Sequence, residues 1–291
     1  MSMVETPIFV IGSPRSGTTL LRLMLTCHPE IVIPPESGFA LWLCDRFGNW
    51  DGDTGSELDS FLNQLYRTRK FETWGLEFDE LSHFIQSAKP RTYARLVASV
   101  YRCYATLQGK PQAMWGDKNN YYLHHIDQLH ALFPDAYFVH IVRDPRSIVC
   151  SYIELAQREM TSLYAPKLPR TVEKAIQVWV EDIHTILGSF ERINWRRTVE
   201  LRFEDLVNDP RSNLSRVCNL LGVTFEPAML DYYKRNRDVE LEPPEFMQWK
   251  ERTLEPPQRD RISRFHEDLT AEQRMLVEEN AISEMKRYGY Q

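Results

Sequence analysis

The chain has 291 residues, of which 43% are hydrophobic and 26% charged, values of a globular protein that exclude a disordered or collagen-like polymer. Lys and Arg number 35 and Asp and Glu 41, a net charge of −6. That balance argues against nucleic acid or an anionic membrane surface as the main partner, and it leaves room for a local basic pocket.

Residues 7–12 form a short apolar run rich in β-branched and aromatic side chains, which predicts a buried strand. The small-residue turn SPRSGTT (13–19) follows, then a mostly apolar helix over 18–27 that stops near His28-Pro29. Residues 31–33 are a second short strand candidate, running into Pro34-Pro35-Glu36. Residues 37–112 read as helical, broken by a polar turn at 48–55. A further buried-strand pattern covers 137–143, with a helix from Pro145, and 171–193 is a long helical stretch. Residues 199–203 are another strand candidate, and 214–221 a helix capped by Gly222.

Strands alternating with helices predict a three-layer α/β fold, a central mainly parallel sheet with helices on both faces. The expected organisation is one domain over 1–291, with a helical insertion at about 45–112. An irregular segment is expected at about 238–262, where two Pro-Pro pairs and many charges stand; a long loop of this kind is usually functional or mobile. The first apolar run ends at Gly12, and no later one approaches the ~18 residues of a membrane span, so neither a span nor a signal peptide is expected. Cys27, Cys44, Cys103, Cys150 and Cys218 have irregular spacing and no C-x-x-C pair. Reduced thiols in a cytoplasmic protein are expected, with neither a disulfide framework nor a zinc site.

Three motifs carry chemistry. The strand–turn–helix of 8–25 contains Gly12-x4-Gly17, the spacing of a P-loop, whose amides and helix N-terminus hold phosphate oxygens. Thr18 stands where a nucleotide hydrolase has its Lys, and the cation is Arg15. In YFVHIVRDPRSIVCSY (137–152), Arg143 ends a strand on the ligand edge of a parallel sheet, and Ser151 follows about two helical turns on. That pair suits a second phosphate, although a strand-end Arg also pairs readily with an acid such as Asp144. RFEDLVNDPRSNLSRVCNLLG (202–222) is architecture by itself.

In this order the three motifs resemble the sulfotransferase family that uses 3′-phosphoadenosine 5′-phosphosulfate (PAPS), and RISRFHEDLTAEQ with RYGY resembles the closing segment of its soluble bacterial members. The resemblance implies a P-loop-like fold and sulfuryl transfer from PAPS to an acceptor hydroxyl. The product would be 3′,5′-adenosine bisphosphate (PAP), and no metal would be needed. Ser16, Gly17, Thr18 and Thr19 would hold the 5′-phosphosulfate, and Arg143 and Ser151 the 3′-phosphate. PRSGTTLLRLMLTCHPEIVIPPES most resembles the tyrosylprotein type and its soluble bacterial relatives. In that type Glu36 matches the general base, and Arg15 and Lys118 (of GDKNNYYL) match the cations flanking the transferred group. Asn120 falls near where the cytosolic small-molecule type has its His. Phe203 stands where the family often has Tyr, keeping an aromatic wall without the hydroxyl. The chemistry agrees: transfer needs positive charge at the moving oxygens and a base within ~2.6–3.2 Å of the acceptor hydroxyl.

Other assignments stay open at this level. Glu36 could cap the helix that follows, and Lys118 could be a solvated charge. His124, His125 and His130 do not suggest a metal site, because adjacent histidines point to different helix faces. Trp179 suits a core better than a stacking surface. Lys250, Arg252, Arg259, Arg261 and Arg264 are solvated by default, with one or two closing over the 3′-phosphate. A P-loop nucleotide kinase or hydrolase and a non-catalytic nucleotide-binding protein are the alternatives. The acceptor could be a tyrosyl peptide, a carbohydrate or a small-molecule or lipid alcohol; Trp42, Trp50, Trp74, Tyr66 and Phe71 hint at an apolar acceptor pocket, although each taken singly suits a core better. Monomer and homodimer are both compatible with the sequence.

Overall fold

The computed structural model describes residues 6–53, 55–193 and 195–290, with backbone only at Trp195. Its strands β1 (Ile8–Ile11), β2 (Ile31–Val32), β3 (Met114–Asp117), β4 (Tyr137–Val142) and β5 (Thr198–Arg202) pair in the order β2-β3-β1-β4-β5. All four pairings are parallel, with Ile8 opposite Gly116 and Tyr137, and Phe138 opposite Thr198. Every strand therefore ends on one edge.

Side chains alternate across a strand, and β1 shows what that does here. Ile8 and Val10 enter one core with Leu21, Leu23 and Leu25 of α1 (Thr18–Thr26). Phe9 and Ile11 enter the opposite core with the helices that join β2 to β3, namely α2 (Ser56–Leu65), α3 (Phe78–Ala88) and α4 (Tyr93–Leu107). A third core lies between α5 (Pro145–Ala156), α6 (Val172–Arg192) and the last helices of the chain. Trp179 belongs to it and is fully buried. Helix α7 (Pro210–Leu221) packs on the α1 side and ends at Gly222, whose φ of +74° forms the left-handed cap. The expected sheet with helices on both faces is what the structure shows.

Two expectations need correction. β3 was not among the predicted strands. Its sequence MWGD lacks the β-branched signature because Gly116 packs against β1, where a Cβ would meet the Ile8 carbonyl oxygen at 2.6 Å. Residues 238–262 are also less irregular than expected. They hold short helical turns at Pro244–Phe246, Met247–Lys250, Glu251–Leu254 and Arg259–Arg261. Pro243-Pro244 opens the first of these turns and Pro256-Pro257 separates the last two, where missing backbone donors stop helix from continuing, and buried side chains pin the segment: Tyr232 donates to the Glu255 carbonyl at 2.7 Å and Asn236 Oδ1 accepts from Glu242 N–H at 2.8 Å.

Candidate active site

The turn between β1 and α1 leaves the sheet at its C-terminal edge. Arg15 and Gly17 have φ of +69° and +97°, so the loop coils tightly before Thr18 opens the helix. Gly17 offers no side-chain cap, and the first-turn amides of α1 face the loop's hollow as a ready anion seat. Ser16 Oγ is buried there without a hydrogen-bond partner among the described residues.

Arg15 donates from Nε to Ser151 Oγ at 3.2 Å and from Nη1 to the Trp249 carbonyl at 3.1 Å. Arg143, just past β4, donates to the carbonyls of Arg15 at 3.2 Å and Arg261 at 2.9 Å, while its Nε has no partner among the described residues. Its guanidinium lies 4.3 Å from the Phe203 ring centroid. Burial pushes both arginines down to about 10, which Arg252 reinforces at Arg15 and Glu204 partly opposes at Arg143. Both stay cationic at neutral pH with spare donor capacity, which suits phosphate groups. Asp144 is not the partner of Arg143. It caps α5 through Arg146 N–H and pairs with the Arg146 guanidinium at 2.7 Å.

The other end of the cavity centres on Glu36, placed after β2 by the Pro34-Pro35 turn, which the Trp74 indole fixes through the Pro35 carbonyl at 2.9 Å. Lys118, first residue after β3, pairs with Glu36 Oε1 and donates to Thr19 Oγ1 at 3.1 Å. Lys70 holds Glu36 Oε2 at 2.5 Å, and Lys250 reaches Oε1 at 3.3 Å. Burial alone would raise the Glu36 carboxyl, but Lys118, Lys250 and Lys70 together outweigh it and hold it well below the usual carboxylate range. Burial pushes Lys118 down to about 8, with Glu36 opposing. Glu36 therefore caps no helix: the turn Phe39–Trp42 starts at Gly38 without a side-chain cap. Lys118 is buried, not solvated.

One cavity of about 540 Å³ joins the two ends. Arg15, Gly17, Thr18, Thr19, Glu36, Asn120, Arg143, Ser151 and Phe203 line it; Lys118 stands behind Glu36 and Thr19, and Ser16 is buried in the loop. The sequence-derived residues are thus brought together. None of the five aromatics that hint at an acceptor pocket lines the cavity. Trp50, Phe71 and Trp74 are buried in the core of the β2–β3 connection, Tyr66 donates to the Leu76 carbonyl at 2.7 Å, and Trp42 packs on Tyr121. The apolar wall comes instead from Leu163, Tyr164, Pro166, Leu168 and Trp249. Among the C-terminal cations, Arg261 lines the Arg143 end, Arg252 and Arg264 hold Glu154 at 2.8 and 2.6 Å, and Arg259 donates to the Asn208 carbonyl. Lys250 belongs to the Glu36 end. His124 approaches Asp182 at 3.8 Å and His125 bonds Gln128 at 3.0 Å, so their rings diverge.

Sequence reasoning missed Lys70, and it missed the anchoring pair Arg22 and Glu242, 2.5 Å apart. Arg22 carried the readable signal: a lone charge within the apolar LLRLMLT helix requires a buried counter-charge.

The family model for the Sulfotransferase family matches residues 7–227, well over half of the chain. The chain belongs to the sulfotransferase family. It is 26% identical to the omega-hydroxy-beta-dihydromenaquinone-9 sulfotransferase Stf3 of Mycobacterium bovis, over 99% of this chain and 76% of that protein. It is 24% identical to a putative protein-tyrosine sulfotransferase of Caenorhabditis briggsae, over 84% of this chain and 76% of the relative. The sulfotransferase domain of the Synechococcus PCC 7002 olefin synthase shares the fold, with a TM-score of 0.59 at 24% identity over 95% of this chain and 94% of that one. This sulfotransferase is PAPS-dependent, and the kinase, hydrolase and non-catalytic alternatives find no support. Among the described residues no helix is long and apolar enough to cross a membrane.

Proposed function

We propose that the cavity takes PAPS with its 5′-phosphosulfate on the 13–19 loop and its 3′-phosphate at the Arg143–Ser151 end, and that Glu36 receives the proton of an acceptor hydroxyl borne on an apolar body. The observation that carries this is the contact of Glu36 with Lys118, which itself bonds Thr19 at the start of α1. A base and an anion-holding cation thus meet beside the phosphate seat.

Ser16 Oγ, the amides at the start of α1 and the Thr18 and Thr19 hydroxyls receive the 5′-phosphosulfate oxygens. Arg15 neutralises the phosphate that leaves, and Arg143, Ser151 and Arg261 hold the 3′-phosphate, with Phe203 as the wall beside them. Lys118 turns toward the phosphosulfate once that anion is seated. Its departure removes one positive charge from Glu36, which raises the carboxylate's affinity for a proton when the acceptor needs a base. No metal is required, because side-chain cations already concentrate charge at the moving oxygens.

The wall of Leu163, Tyr164, Pro166, Leu168 and Trp249 supports an apolar acceptor body. The hydroxylated dihydromenaquinone in the name of the Mycobacterium relative belongs to the same broad class. We place the protein in the cytoplasm on its five free cysteines. The test offers radiolabelled PAPS with a long-chain alcohol, a phenol, a tyrosyl peptide and a monosaccharide, to wild type and to Glu36→Gln. Label on the alcohol or phenol, lost in the variant, is the expected result. Label only on the sugar or peptide would overturn the acceptor class, and an active variant would overturn the base.

A further inference from the structure

Lys250 lies beyond the residues matched by the family model, which end at 227. It is nonetheless buried in the wall of the cavity, at the end of the short turn Met247–Lys250. Its ammonium reaches Glu36 Oε1 at 3.3 Å, the same oxygen that Lys118 contacts, and pairs with Glu242. The Phe246 ring centroid is 4.8 Å away. Glu242 is fixed in turn by Arg22 at 2.5 Å, and Arg22 is clamped by the carbonyls of Ile33 at 2.9 Å and Leu241 at 2.8 Å.

Among the described residues, the buried Lys118, Lys250 and Arg22 and the half-buried Lys70 form ion pairs with Glu36 and Glu242 alone, four cations against two carboxylates in one chain of contacts. Positive charge left in excess away from water is costly unless an anion joins it. The donor placement proposed above supplies that anion, because Lys118 links the cluster to Thr19 on the 13–19 loop.

We infer that Lys250 is a second sulfuryl-holding cation: its ammonium, presented by the C-terminal segment across Glu36 from Lys118, hydrogen-bonds the oxygens of the transferring group. This rests on the donor placement proposed above. In the step, the acceptor oxygen forms a bond to sulfur and the bond from sulfur to the 5′-phosphate oxygen breaks. The electron pair stays on the phosphate and the acceptor proton goes to Glu36. Lys250 and Lys118 stabilise the sulfuryl oxygens from two sides while Arg15 faces the leaving phosphate. Glu242 and Arg22 are positioning residues that keep the Lys250 ammonium aimed at the Glu36 side.

The test needs no knowledge of the acceptor, because PAPS carries the sulfuryl group and PAP does not. Calorimetry on the whole chain gives Kd for both, in wild type, Lys250→Met and Lys250→Arg, with a thermal melt on each sample. Lys250→Met keeps the aliphatic stem against Phe246 and is expected to weaken PAPS by roughly 10–100-fold, the worth of a lost charge-assisted hydrogen bond. PAP should change less than about threefold, and Lys250→Arg should recover most of the PAPS affinity. Glu242→Gln should weaken PAPS in the same selective way by a smaller factor. Equal losses for PAPS and PAP, or no loss for either, would overturn the role. If Met at 250 melts early, Lys250→Gln gives the same comparison. Wild type binding PAPS no better than AMP would overturn the donor placement and this role with it. That failure is separate, because the wild type itself shows it.

Discussion

The Phe203 ring closes directly on Gly17, so that a Cβ on the glycine would lie 2.5 Å from Phe203 Cδ2. Gly17 also needs φ +97°, a conformation that costs an L-residue about 1–2 kcal/mol. Gly17→Ala is therefore expected to displace the loop amides and weaken PAP by roughly tenfold or more, with a loss of about 1–3 kcal/mol in stability. Adding Phe203→Ala relieves the contact but not the dihedral. The double variant should regain part of the affinity, and a double-mutant cycle on Kd reads that coupling.

In the proposed donor placement Arg143 holds the 3′-phosphate. PAP is expected to bind far better than AMP, by two charge-assisted contacts of ~1.5–3 kcal/mol each. Arg143→Ala should erase most of that difference with a largely unchanged melt. Calorimetry with both nucleotides decides it, and equal wild-type affinities would remove Arg143 and Ser151 from the site.

Glu36→Gln keeps the size of the side chain and removes the base. Turnover with an alkyl alcohol is expected to fall by about 10²–10⁴-fold, and PAP affinity should not weaken, since a negative charge leaves the cationic cluster. The loss should shrink with a nitrophenol, whose oxygen is already ionised. A loss of the same size with both acceptors would point to a structural role.

Lys118 gives two pH effects of opposite sign. Burial, opposed by Glu36, sets its folded value at about 8 against 10.5 for the free side chain. Only the ammonium attracts the donor, so donor kcat/KM should decline as pH rises through about 8. Lys118→Arg should move that limb upward. Between the two values the unfolded chain binds more protons than the native one, so stability rises with pH there. Steady-state kinetics and denaturant titrations over the same window check both signs. Excess EDTA should leave turnover intact throughout, because Arg15, Lys118 and Lys250 already supply the charge.

Glu242 sits fully buried between Arg22 and Lys250. Burial alone would raise its carboxyl, but Lys250 and Arg22 outweigh that and lower it from 4.5. A carboxylate so lowered contributes stability that is complete above its unfolded value and is lost as pH falls through the folded one. Glu242→Gln should cost about 3–5 kcal/mol near neutral pH, the usual result of breaking a buried pair. The gap to wild type should narrow as pH falls from the unfolded value of 4.5 toward the lower folded one.

The residues of the proposed phosphate end were legible in sequence because they are local. Gly12-x4-Gly17 with Arg15, and Arg143 with Ser151, each fall within one strand–turn–helix, where spacing dictates geometry. Glu36 and Lys118 came from family resemblance, and the structure adds that they touch. What could not be read is what long-range packing decides. Lys70 and Lys250 reach Glu36 from 34 and 214 residues away. Nothing near Lys250 distinguishes it from the exposed Arg252 two positions on. The aromatics show the same limit: a tryptophan in a helical stretch signals burial, and only the packing tells a core from a cavity wall.

The order in which a ribosome releases this chain follows from where Lys250 and Arg261 lie. Domains fold from the N-terminus as synthesis proceeds, and all five strands are complete by Arg202. A nascent chain can thus assemble its sheet and phosphate loop early. Arg22 then waits for Glu242, Arg15 for the Trp249 carbonyl, and Glu36 for one of its three lysines. Until residues 242–261 have emerged, the polypeptide holds its sheet and loop but lacks the partners that complete the proposed site.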